Sequence, residues 1–82
     1  MMNEAKVYVD VDAHFTKDGE LIPRALFWED GRRYEIDKVT QIARRASLKA
    51  GGAGMRYTCM IGGQQSYLFY EVDKWFVERK DV

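Results

Sequence analysis

Val7, Val9, Val11, Ala13 and Phe15 alternate with Tyr8, Asp10, Asp12 and His14, a period of two held over nine residues. Successive side chains of a strand point to opposite faces, so this stretch predicts a half-buried strand with a polar outer face. Lys17-Asp18-Gly19-Glu20 reads as a turn, and Leu21 to Glu29 as a second strand. Pro23 lacks an N–H donor, which puts that end at an edge or at the strand's start. Asp30-Gly31 suits a two-residue type I′ turn, because both central residues of that turn need positive φ. The third strand then starts at Arg32. A two-residue turn sets Trp28 opposite Arg33, Phe27 opposite Tyr34 and Ala25 opposite Ile36. Phe27, Tyr34, Ala25 and Ile36 become the core face, and Trp28, Arg33, Leu26 and Glu35 the outer one.

Residues 37–47 fit two patterns. Ile36, Val39, Ile42, Ala43 and Ala46 have helical spacing, and Gly51-Gly52 could cap a helix end. The same letters fit a bent strand with a bulge near Lys38. The β character of the surroundings and the poor helix-start signals favour the strand, with a short helix around 38–46 across one mouth of a barrel as the alternative. Ala50-Gly51-Gly52-Ala53-Gly54 is a flexible loop. Met55 to Ile61 and Ser66 to Val72 form a hairpin through Gly62-Gly63-Gln64-Gln65, and Lys74 to Arg79 closes another. A last turn on Val72-Asp73 pairs Tyr70 with Trp75 and Phe69 with Phe76. One on Asp73-Lys74 slips this by a residue and exchanges the faces. Tyr67-Leu68-Phe69-Tyr70 is apolar on both faces, as expected of a central strand covered on both sides. The predicted fold is all-β: one domain over residues 5–80, with residues 1–4 and 81–82 frayed. Its five or six strands form a small antiparallel barrel or curled sheet, SH3-like in size.

Composition narrows the class. Aromatics at 13% and hydrophobic residues at 46% are enough for a core in 82 residues, which argues against disorder. The single cysteine, Cys59, excludes an internal disulfide and a multi-cysteine zinc site, and points to a reducing cytoplasm. No apolar run reaches signal-peptide or membrane-spanning length, so no membrane partner is expected. Net charge is zero, yet residues 1–30 carry seven acids and three bases, and residues 31–66 two acids and seven bases. A neutral total argues against a non-specific nucleic-acid binder but leaves room for a basic face. It also allows self-association as a homodimer, the acidic part of one copy against the basic part of another.

The candidate chemistry is sparse. Arg44, Arg45, Lys49 and Arg56 surround the glycine loop, whose freed N–H groups could form an anion-binding nest flanked by cations. The glycine spacing matches no phosphate-loop pattern, and a solvated basic connection explains the same residues. Trp28, Tyr8, Tyr57 and Tyr70 are candidate exposed aromatics, with Trp28 and Tyr57 the stacking candidates beside Arg33 and Arg56. Large side chains are equally what a small core needs. Asp10, Asp12 and His14 share one strand face, but each lies about 6.6–6.8 Å from the next, too far to share one hard metal ion without a sharp curl. An acidic stripe that discourages edge-to-edge pairing accounts for them. Cys59 sits in an apolar strand, where a lone cysteine is a small buried hydrophobe. Nothing indicates a catalytic residue, a metal or a cofactor.

Pro23-x-x-x-Phe27-Trp28-x-x-Gly31-Arg32-x-Tyr34-x-Ile36, followed by Trp75-Phe76-Val77-Glu78-Arg79, resembles a family of small uncharacterised bacterial all-β domains. Some of these stand alone, and others are appended to proteins related to translesion DNA polymerases. The resemblance runs from about Pro23 to Arg79 and rests on structural motifs, so it implies a bacterial accessory domain, with a link to DNA repair, and transfers no catalytic residue. The resulting expectation is a non-catalytic binding module for an anionic partner, nucleic acid being the leading case. The alternative is a protein-interaction or self-assembling module that uses an exposed strand edge, with no nucleic acid involved.

Overall fold

A computed structural model describes residues 6–44 and 54–78 of the chain. The frayed ends expected at 1–4 and 81–82 lie outside the described residues, as do Arg45, Lys49 and most of the glycine loop. The fold is all-β, in two antiparallel sheets. The strands are β1 (Lys6–Tyr8), β2 (Asp10–Phe15), β3 (Leu21–Phe27), β4 (Arg33–Glu35), β5 (Lys38–Arg44), β6 (Met55–Ile61), β7 (Gln64–Glu71) and β8 (Lys74–Glu78). One sheet has the order β1-β8-β7-β6-β5 and the other β2-β3-β4.

The long first strand of the sequence reading is therefore two strands. Val9 still donates its N–H to the Trp75 carbonyl at 3.1 Å, and Asp10 already pairs with Phe27 in the other sheet. Alternation survives the switch because the two sheets face each other, so Val7, Val9 and Val11 all turn into the space between them. Ala13 and Phe15 do not, and Phe15 is 70% exposed.

The first hairpin departs from expectation by one residue. Trp28 donates its N–H to the Arg32 carbonyl at 2.8 Å, and Gly31 donates to the Trp28 carbonyl at 2.9 Å. Only Gly31 in this turn has positive φ, at 88°, and the Asp30 carboxylate accepts the Arg32 N–H at 3.0 Å. This is a three-residue loop with glycine in the left-handed position, not a type I′ turn. Ala25 consequently pairs with Glu35, Leu26 with Tyr34 and Phe27 with Arg33. A one-residue slip exchanges faces. Leu26 and Trp28 thus turn inward with Ile36, and Phe27 turns outward beneath Arg33, whose guanidinium lies 5.4 Å from its ring centroid.

Residues 38–44 are strand, which removes the short helix over that stretch; residues 45–46 lie outside the described residues. The bulge falls at Thr40, between the Val39–Cys59 and Gln41–Thr58 pairs, rather than near Lys38. The next hairpin turns on Gly62-Gly63 alone, with φ of 59° and 82°, so Gln64 and Gln65 belong to β7. The last hairpin turns on Val72-Asp73, pairing Tyr70 with Trp75 and Phe69 with Phe76. Pro23 is fully buried in the central strand β3, next to the bulged Arg24 and beyond the reach of β4, so its missing N–H breaks no ladder bond to that strand.

The core lies between the sheets. It joins Val7, Val9, Leu26, Tyr57, Cys59 and Leu68, with Trp28, Ile36, Trp75 and Val77 packed against it. Each fully buried Leu or Phe of this kind contributes about 1.5–3 kcal/mol. Tyr57 also locks the sheets together, its hydroxyl donating to the Leu21 carbonyl at 2.6 Å.

Candidate functional site

Pairing register decides which side chains meet on the sheet surface away from the core. On the five-stranded sheet one row runs Ala43, Arg56, Phe69, Phe76, Tyr8 across all five strands. The neighbouring row sets Gln41 beside Thr58 and Thr58 beside Tyr67, and beyond it Lys38 pairs with Met60. This outer face combines aromatic rings with the cations Lys6, Lys38, Arg56 and Lys74 and the acids Glu71 and Glu78. Phe69 and Phe76 stack with ring centroids 5.1 Å apart and are buried, and the Tyr8 ring meets Phe76 edge-on at 5.8 Å.

Two tyrosines on this face stay accessible, Tyr8 at 54% and Tyr67 at 41% exposed. Each carries a cation: the Arg56 guanidinium is 4.4 Å from the Tyr67 ring centroid, and the Lys74 ammonium 5.7 Å from that of Tyr8. Lys6 is committed elsewhere, bonded to Glu71 at 2.9 Å and lying over the Phe76 ring. That hydrogen bond to Glu71 holds the Lys6 ammonium above its ordinary acidity range. Arg56 Nε and Thr58 Oγ1, two residues apart on this face, are buried without a hydrogen-bond partner. A shallow groove lined by Tyr8, Asp10, Lys74 and Trp75 opens where the chain leaves one sheet for the other.

Among the described residues, the two cations proposed from sequence, Arg44 and Arg56, do not share a face. Arg44 pairs with Met55, so it shares the core-side parity of β5, whereas Arg56 projects from the opposite face. Arg45 and Lys49 lie outside the described residues. Tyr57 is only 4% exposed, its ring 5.3 Å from Trp75, so it offers no face for stacking. Burial pushes its phenol up from the ordinary 10.0. Trp28 is half-buried against the core and no longer stands beside Arg33. Gly54 is explained by packing: a Cβ there would lie 2.4 Å from the Tyr70 carbonyl oxygen.

Other candidates resolve as structure. Asp12 accepts a hydrogen bond from Arg33 at 2.8 Å, and Arg33 also donates to Glu35. Asp10 and His14 are exposed along β2, an edge strand. The described residues contain no cluster of three or more metal-ligating side chains. Cys59 is fully buried, and desolvation pushes its thiol up to about 11, so at neutral pH it is a protonated core side chain rather than a nucleophile.

Tyr8, named from sequence among the candidate exposed aromatics, is exposed. Tyr67, Lys74 and Thr58 were absent from the sequence-derived site, although one signal existed. In Met55-Arg56-Tyr57-Thr58-Cys59 the polar residues Arg56 and Thr58 alternate with apolar ones, marking a shared outer face. Compared with protein-family models, curated proteins and solved structures, the chain matches none.

Proposed function

We propose that the protein is a non-catalytic accessory module that binds an anionic partner, a nucleic-acid strand above all, on the outer face of its five-stranded sheet. The observation that carries this reading is the pairing of each accessible tyrosine, Tyr67 and Tyr8, with a cation, Arg56 and Lys74. Accessible rings stack on unpaired bases irrespective of sequence, and neighbouring cations meet the phosphates. Lys38 adds a third positive charge on the same side. Single strands are favoured over duplex because a paired base hides its face. In this reading the two sheets curl around one core as a small SH3-like barrel. The resemblance to bacterial domains appended to polymerase-related proteins supports a cytoplasmic, repair-associated setting. No helix among the described residues is long and apolar enough to cross a membrane.

Fluorescence anisotropy with a labelled ten-residue thymidine oligonucleotide tests this. Binding at low salt should weaken steeply as salt rises, and Tyr67→Ala and Lys74→Ala should each weaken it several-fold. No binding at low salt removes the reading.

A second reading rests on β5, the terminal strand of its sheet, with Lys38 and Arg44 exposed and no acidic residue. Such an edge can accept an added strand from another protein or a second copy. Antiparallel self-pairing about Gln41 would set Lys38 opposite Arg44, which like-charge repulsion opposes. Light scattering separates the readings: a concentration-dependent dimer abolished by Ala43→Pro would favour the edge.

A further inference from the structure

Arg56 and Thr58 pose a question that stacking alone does not answer. Thr58 is 6% exposed, and its hydroxyl has no partner; the Arg56 Nε beside it is likewise buried and unpaired. Buried polar groups are normally hydrogen-bonded, so two orphans on one strand face call for an acceptor. Their positions are close: residues two apart on a strand lie about 6.8 Å from each other along one face. Tyr67 stands directly opposite Thr58, and the Arg56 guanidinium rests on its ring.

We propose that Arg56 and Thr58 form a seat for one phosphate oxygen of the bound strand, with Arg56 acting as a placeholder on Tyr67. When the strand docks, a base displaces the guanidinium from the ring. The phosphate oxygen then accepts hydrogen bonds from Arg56 Nε and the Thr58 hydroxyl, the two unpartnered groups of this face. Lys38, one row further on the same face, adds charge beside the seat. The exchange replaces a cation–ring contact with a base–ring contact and gives both orphan donors a charged acceptor. Charged acceptors make the stronger hydrogen bonds. This inference rests on the nucleic-acid reading and locates its phosphate contact.

Thr58→Val tests it, because valine keeps the shape and removes only the hydroxyl. Two opposite effects are expected: a higher thermal midpoint, since an orphan is lost, and thymidine-oligonucleotide binding weakened on the order of tenfold. With the uncharged methylphosphonate form of the same oligonucleotide, Thr58→Val and the parent should bind alike. A lower midpoint for Thr58→Val would show that the hydroxyl has a structural partner, and would overturn the seat. If Thr58→Val binds the charged oligonucleotide as the parent does while Tyr67→Ala loses it, the seat is wrong and the nucleic-acid reading stands. If the parent binds no oligonucleotide, that reading falls, and inorganic phosphate followed by the Arg56 Nε–H resonance decides the seat. A shift lost in Thr58→Val retains it for free phosphate, and no shift overturns it.

Discussion

Val72 and Asp73 form the whole loop of the last hairpin, with φ of 50° and 65°. That geometry is the type I′ turn, for which Asn-Gly is the favoured pair. A valine there holds a branched Cβ against the following carbonyl, and the left-handed conformation costs an L-residue about 1–2 kcal/mol. Val72 is 84% exposed, so its side chain returns little by burial. Val72→Asn should therefore stabilise the domain by about 1 kcal/mol, because asparagine enters this conformation at lower cost. For a domain of this size that corresponds to a midpoint rise of roughly 4–8 °C. Asp73 is best left in place, since its carboxylate accepts the Tyr70 hydroxyl at 3.1 Å. Thermal melts and urea titrations should agree, the urea midpoint rising with an unchanged slope. Val72→Thr, branched like valine, should recover almost nothing. A Val72→Asn protein no more stable than its parent, or a threonine variant equally stabilised, would refute the strain argument. So would destabilisation, the outcome if the turn were centred on Asp73-Lys74.

Two further perturbations probe the packing. The Cys59 thiol is pushed from 9.0 to about 11 by burial, so folding favours its protonated form. Both states keep the proton below pH 9, and only the folded state keeps it between 9 and 11. Stability should thus fall by roughly 2–3 kcal/mol across that window. Denaturant titrations at pH 8, 9.5 and 11 should show the loss reduced in Cys59→Ala, with a residue remaining from Tyr57, whose phenol is raised in the same sense. An equal loss in both proteins would contradict the assignment. Gly54→Ala would drive a Cβ against the Tyr70 carbonyl and should cost about 1–3 kcal/mol in a urea melt. A neutral result would mean that β6 and β7 part there without strain.

Much of the fold was legible in the sequence because period-two alternation and glycine turns are local signals. The strand over 38–44, the central place of β7 and the burial of Cys59 all follow from such patterns. The hairpin at Asp30-Gly31 misled because one dipeptide serves two loop lengths. Asp30 holds the Arg32 N–H instead of entering the left-handed region, and that choice moved Trp28 inward and Phe27 outward. The switch at Val9 was invisible because both sheets demand the same inward parity. The candidate site was the least legible part. Arg56, Thr58 and Tyr67 become neighbours through the β6–β7 register, whereas Arg44 and Arg56, close along the chain's basic region, are separated by strand parity. Clusters of like charge in sequence say little about which face of a sheet receives them.

The first strand pairs with the last, Lys6 opposite Glu78 and Tyr8 opposite Phe76. On the ribosome, β1 emerges first and waits for β8, the strand made last among those described. Val7 and Val9, which seal one side of the core, have no sheet to join until then. Loop closure of this length is slow relative to local hairpin formation. A chain ending before Lys74 could still pair β6 with β7 but would leave Leu68 without the strand on its other side, so this domain is complete only once Glu78 has been made and has left the ribosome.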